Sequence, residues 1–238
     1  MLKKVWRKIY KTTHPVVGEI WMLHRIVELR SNEPEQRELE VTPIFLENTI
    51  IECLNNGYRF VTIDEAYNII NNGKQQKQPF VCLTFDDGYK DNYTTALPLL
   101  ERLNVPFAVY VTTGFVDNKL PMWWYPDQQL GLSLDELIAL DNEPLCTIGA
   151  HTISHPKLDS LSNDEQKKEI IDSKTILEQW LGHPVKHFSY PHGVYNDTTR
   201  QIVKEAGFST SLRAWGGTIR RGDASLYELP RIILKENA

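Results

Sequence analysis

Three short segments carry side chains whose types and spacing suit hydrolytic or metal chemistry. In Val81-Cys82-Leu83-Thr84-Phe85-Asp86-Asp87-Gly88-Tyr89 an apolar run ends in two adjacent carboxylates, and a glycine then lets the chain turn away. Neighbouring carboxylates repel, and burial strips their hydration, unless something positive stands beside them, so the pair implies a cation or a divided acid and base role. Taken alone, the pair is equally a surface loop whose aspartate caps the next helix. In Gly149-Ala150-His151-Thr152-Ile153-Ser154-His155-Pro156, two histidines at i and i+4 face one metal ion if the segment between them makes one turn, which Pro156 would stop. Such a pair also arises as two hydrogen-bonded structural histidines. The glutamate of the metalloprotease H-E-x-x-H helix is missing, so any base must come from elsewhere, and Asp86 can supply it. The third segment, His187-Phe188-Ser189-Tyr190-Pro191-His192-Gly193, runs a strand into a Pro/Gly turn bearing His192.

Each segment sits at the end of an apolar run, and the chain alternates such runs with longer amphipathic stretches, the signature of repeated β-α units. Strands are expected at Glu19–His24, Gln78–Phe85, Phe107–Thr112, Leu145–Ala150, Val185–Tyr190, Phe208–Leu212 and Glu228–Leu234. Helix starts are expected at Thr42-Pro43, at the capping boxes Ser133…Glu136 and Ser162…Glu165, and at the caps Asn92 and Asn196; Ser31–Leu39 reads as a polar surface loop. About seven strands in this length fit a parallel barrel or an open doubly wound sheet. The absence of a G-x-G-x-x-G turn and of a Walker lysine favours the barrel, which would bring the three segments to one rim. Trp123-Trp124-Tyr125 would lie on a loop above that rim, either stacking on sugar faces or packing the loop, and Trp215-Gly216-Gly217 is a weaker instance of the same choice.

The 238 residues suffice for one compact domain, and 41% hydrophobic with 24% charged residues is ordinary globular usage. A net charge of −5 argues against a broad nucleic-acid surface. Cys53, Cys82 and Cys146 lie in apolar segments with no C-x-x-C spacing, which reads as reduced structural thiols in a cytoplasmic protein. No run reaches the ~18 apolar residues of a spanning helix, and no export signal is read after the basic start. Leu2, Trp6, Ile9 and Tyr10 can share one helical face flanked by Lys3, Lys4, Arg7, Lys8 and Lys11. That pattern fits either docking on the barrel or weak contact of residues 1–11 with the inner membrane face.

The motifs together resemble the polysaccharide deacetylases of carbohydrate esterase family 4, with the NodB homology domain. Thr84-Phe85-Asp86-Asp87-Gly88 matches the first family motif and His151-Thr152-Ile153-Ser154-His155-Pro156 the second. The resemblance covers residues 78–234 as the NodB core, with 1–77 contributing a preceding strand and helices to a single domain. It implies a distorted (β/α)7 TIM-like barrel and a hydrolase that removes N-acetyl groups from the amino sugars of a polysaccharide or glycan precursor. Asp86 would be the base, while Asp87, His151 and His155 would bind a divalent metal, zinc by preference, with cobalt, nickel or manganese as alternatives. The backbone N–H at His192 would help hold the developing oxyanion.

Two positions depart from the family. Ser189 stands where an arginine usually holds the catalytic aspartate, and Leu229-Pro230-Arg231 stands where a Leu-x-His pattern usually supplies a general acid. A guanidinium is effectively never deprotonated, so Arg231 suits orienting a carboxylate or polarising the amide, leaving His192 and His24 as candidate acids. Tyr190, Pro191, Gly193, Trp123, Trp124 and His24 are the expected substrate contacts. A carbohydrate-binding protein without turnover and an amidohydrolase for a small non-sugar amide are the competing readings.

Overall fold

The computed structural model describes residues 15–73, 77–126, 128–222 and 225–236. The amphipathic pattern of residues 1–11 lies outside the described residues. The strands are β1 (Val16–Leu23), β2 (Arg25–Ile26), β3 (Glu40–Val41), β4 (Arg59–Phe60), β5 (Phe80–Phe85), β6 (Phe107–Val111), β7 (Cys146–Ala150), β8 (His187–Ser189), β9 (Thr210–Leu212), β10 (Ile219–Arg220) and β11 (Ile232–Ile233).

Six strands run parallel in the order β1-β5-β6-β7-β8-β9. The ring closes through the segment leading into β11. Leu212 bridges Leu229, the Leu229 N–H donates to the Ser211 carbonyl while the Leu229 carbonyl accepts from the Arg213 N–H, and β11 pairs in parallel with β1 through Trp21↔Ile232. These seven parallel staves are the seven strands expected from sequence, and the distorted barrel is the expected fold. The extra strand β10 pairs antiparallel to β1, and β4 adds to β5 at its amino end.

Period-two alternation sorts the side chains of the staves. On β5, Val81, Leu83 and Phe85 join the core shared with the helices, together with Leu46, Leu100, Leu137 and Leu177. Phe80 and Cys82 join Ile20, Ala108, Tyr110, Leu212 and Leu229 in a second cluster inside the barrel. Thr84 and Asp86 continue that inward row, which is why Asp86 emerges at the carboxyl end of the barrel.

Local signals set the helix starts. Thr42 caps Pro43–Asn55, and Ser133 and Ser162 form the expected reciprocal boxes with Glu136 and Glu165. Asn196 caps Asp197–Glu205. Asn92 is not a cap: it lies inside the π-helical stretch Asn92–Ala96, and its side chain donates to the His24 carbonyl at 2.8 Å. The polar stretch 31–39 is not wholly loop either, because Pro34 starts a helical turn over Pro34–Arg37.

Candidate active site

The carboxyl ends of β1, β5, β7 and β8 surround a cleft of about 270 Å³. Its walls include Asp86, Asp87, His151, His155, Tyr190, His192, Gly193, Arg231, His24, Trp123 and Trp124. Eleven of the twelve sequence-predicted site residues thus meet in one place. Pro191 is buried and does not line the cleft.

Asp86 is gripped by Arg231. The guanidinium donates from Nη1 to Asp86 Oδ1 at 2.8 Å and from Nη2 to Oδ2 at 2.6 Å, and both side chains are buried. Arg231 also donates to Thr84 Oγ1 at 3.3 Å, to Ser189 Oγ at 2.9 Å and, through Nε, to the Arg213 carbonyl at 3.0 Å. Ser189 in turn donates to Asp86 Oδ2 at 3.2 Å. Both departures from the family pattern therefore meet at the same carboxylate: the guanidinium comes from the last stave, and the smaller Ser189 shares its hydrogen bonds. Burial alone would raise the Asp86 carboxyl, but the Arg231 guanidinium, then His151, hold it below the ordinary carboxylate range. Removing one partner of such a pair leaves a buried charge uncompensated. Arg231→Met is expected to cost ~3 kcal/mol of stability, seen as a drop in Tm of roughly 6–12 °C. An unchanged Tm would show that the pair contributes nothing to folding.

Asp87 faces the two histidines. Its Oδ1 lies 3.4 Å from His151 Nε2 and 3.3 Å from His155 Nε2, and the ligand atoms of all three residues fall within 4.8 Å of one another. His151 Nδ1 is 2.7 Å from the Ser189 carbonyl oxygen, which can only accept, so that nitrogen carries a proton; in the neutral ring, the form that binds a metal, the Nε2 lone pair then faces Asp87. Asp87 Oδ1 is buried without a hydrogen-bond donor among the described residues. Lone pairs converging in a buried space are what a divalent cation satisfies, so the residues present fit a metal ion with positions left for water and substrate. The electrostatics follow the same geometry. Burial opposes ionisation of Asp87, yet His155 and His151 hold its carboxyl well below the usual range. Burial also pushes the His155 imidazole down to about 3, whereas Asp86 and Asp87 outweigh burial at His151 and raise it.

The histidines do not converge by a helical turn. Thr152 and His155 both adopt positive φ, at 68° and 60°, in an irregular loop. Thr152 Oγ1 accepts from the His155 N–H at 3.1 Å, and Glu169 Oε2 accepts from the Ile153 and Ser154 N–H groups at 2.8 and 3.0 Å. Gly114 closes the loop from the other side, donating to the Ile153 carbonyl at 2.8 Å; a Cβ there would lie 2.4 Å from that oxygen. Glu169 and Gly114 were missed from sequence because neither lies near a histidine in the chain.

The aromatic residues divide between packing and exposure. Trp124 packs against Phe115 and His155 and donates to Tyr89 Oη at 2.6 Å, whereas Trp123 is 64% exposed at the rim. Tyr190 forms wall only, since its hydroxyl donates to the Tyr227 carbonyl and accepts from Ser211. His192 sits beside His155 with ring centroids 4.5 Å apart, and its φ of 57° turns the chain into the cleft wall. Met22, Glu35, Leu39 and Ala214 also line the cleft and carry no sequence motif.

A barrel with an Asp-Asp strand end facing an Asp/His/His cluster defines a class of hydrolase, and the comparisons agree. The family model for polysaccharide deacetylases matches residues 73–211, and the chain belongs to that family. It is 27% identical over 222 residues to YxkH of Bacillus subtilis strain 168, assigned as a polysaccharide deacetylase, covering 93% of this chain and 73% of that one. It is 24% identical to the poly-β-1,6-N-acetyl-D-glucosamine N-deacetylase of Staphylococcus aureus strain MRSA252, covering 91% and 75%. Among solved structures, the Streptococcus pyogenes deacetylase PplD, in complex with acetate, superposes with a TM-score of 0.79 at 28% identity over 93% of each chain.

Proposed function

We propose that this chain is a metal-dependent deacetylase that hydrolyses N-acetyl groups on the amino sugars of a glycan. The observation that carries the reading is the two-part centre: a carboxylate clamped by Arg231 next to an unclamped Asp87/His151/His155 group, both opening into one cleft. Asp87, His151 and His155 would hold the ion. Such an ion supplies Lewis acidity, making water acidic near neutral pH and taking up charge that develops on an acyl oxygen.

The chain's own residues do the rest. Asp86 takes the proton of the attacking water as general base, and Arg231 and Ser189 keep its carboxylate in one orientation for that transfer. The same proton is what the sugar nitrogen needs as the C–N bond breaks, so Asp86 can return it there, giving acetate and a free amine. Arg231 is a positioning residue in this scheme, because its guanidinium is held by Asp86, Ser189, Thr84 and the Arg213 carbonyl. His192 lines the wall beside His155 and is the proposed hydrogen-bonding group for the substrate amide; Trp123 and His24 border the same space. Arg231 in the clamp supports turnover over a binding-only role, since Ser189 and Arg231 were what suggested lost catalysis. Zinc suits two imidazoles and a carboxylate.

The test is a panel of N-acetylglucosamine oligomers, small acetamides and cyclic amides incubated with metal-loaded protein. Equal amounts of acetate and free amine from the oligomers are expected. Turnover confined to cyclic amides would replace this reading with the small-amide one.

A further inference from the structure

The cleft carries one acidic residue that the chemistry above does not use. Glu35 lines it, is exposed, and makes no hydrogen bond or ion pair with the described residues. Its neighbours in the turn Pro34–Arg37 are tied down. Gln36 donates to the Trp124 carbonyl at 3.0 Å and accepts from Ser31 at 2.8 Å, while the Arg37 N–H bonds the Glu33 carbonyl. Tyr125, next in the tryptophan loop, donates to Glu40 at 2.8 Å. Glu35 therefore rides on backbone fixed to the loop that presents Trp123, and its own carboxylate is left to the cleft.

The other charges there are already spoken for. Asp86 is neutralised by Arg231, and Asp87 faces His151 and His155. An N-acetylated glycan offers Glu35 only hydroxyl and amide donors, but deacetylation creates an ammonium group, and a charge-assisted bond to it is about twice as strong as a neutral one. At about 270 Å³ the cleft is at the small end of ligand pockets, so an acetylated sugar bound at the Asp87/His151/His155 group would leave the adjoining sugar to the exposed lining residues, Glu35 among them.

We propose that Glu35 recognises a free amino group on the sugar next to the one being deacetylated, so that each deacetylation favours the next and free amines accumulate in blocks. This rests on the deacetylase reading. Trp123, exposed beside the same wall, would support the neighbouring ring by stacking.

The test compares two glucosamine tetrasaccharides, one fully N-acetylated and one with a single N-acetyl group flanked by free amines. Wild type should favour the second in kcat/KM by about fivefold, the upper range for an exposed ion pair. Glu35→Gln should bring that ratio close to one, and salt at about 0.5 M should compress it in wild type by screening. Carbon NMR of a partly converted polymer should show adjacent free amines above the random frequency with wild type and near it with Glu35→Gln. A ratio that Glu35→Gln leaves unchanged, or a wild-type preference for the fully acetylated substrate, overturns the inference while leaving the deacetylase reading intact. No acetate from either substrate overturns both.

Discussion

Asp86→Asn is expected to lower acetate release by at least ~10², within the ~10²–10⁴ range that general base catalysis contributes, while the bound metal stays. Asparagine keeps the size of the side chain and one oxygen that can accept from Arg231, but it cannot take a proton at neutral pH. The guanidinium loses half of a two-point grip, so the variant should also be less stable, and rates are to be compared on protein shown to be folded by circular dichroism. Metal content separates the two carboxylates. Asp86 lies 3.9 Å from His151 Nε2 through Oδ2 and is occupied by Arg231, whereas Asp87 carries the free oxygen. A variant with unchanged turnover would assign the base to another residue, and one that lost its metal would place Asp86 among the ligands.

His155→Ala is expected to take metal content from close to one equivalent to near zero. Acetate release should fall by more than the ~10–100-fold typical of removing a group that merely supports a ligand. The imidazole packs against Phe115, Trp124, His151 and His192, so its loss opens space beside the small aromatic cluster of Tyr89, Phe115 and Tyr125 and leaves the two larger core clusters intact. The fold should survive, with the far-ultraviolet dichroism of wild type. Elemental analysis after dialysis is the measurement. Equal metal in both proteins would remove His155 from the ligand set and with it the three-residue centre.

The staves of the barrel were legible because each is an apolar run long enough to show its pattern, and the caps because Thr42, Ser133, Ser162 and Asn196 act on backbone N–H groups within three residues. Strands β2, β3, β4 and β10 were not, since each is two residues that stood out as no strand in the sequence, unlike β11, whose two residues sit within Glu228–Leu234. In the site, Asp86, Asp87, His151 and His155 stood out as dense local patterns. Arg231, which meets Asp86 across 145 positions, was legible as a carboxylate-orienting group only through its place in the family motif, whereas Glu169 holds the histidine loop through backbone groups that have no sequence signature. The spacing of His151 and His155 suggested a helical turn, yet positive φ at Thr152 and His155 bends the loop instead. Glu35 was invisible for a related reason, as one acid in a polar stretch gains meaning only when the fold sets it against the tryptophan loop.

If one ion held by Asp87, His151 and His155 drives acetate release, titration of the metal-free protein shows it. Zinc is added in steps to chelator-treated, dialysed protein, and acetate release from an N-acetylglucosamine oligomer is followed alongside bound metal. Negligible release without metal, a rise in proportion to bound zinc and a plateau at one ion per chain are expected. Full acetate release by the metal-free protein, or a rate indifferent to bound zinc, would contradict that role of the ion.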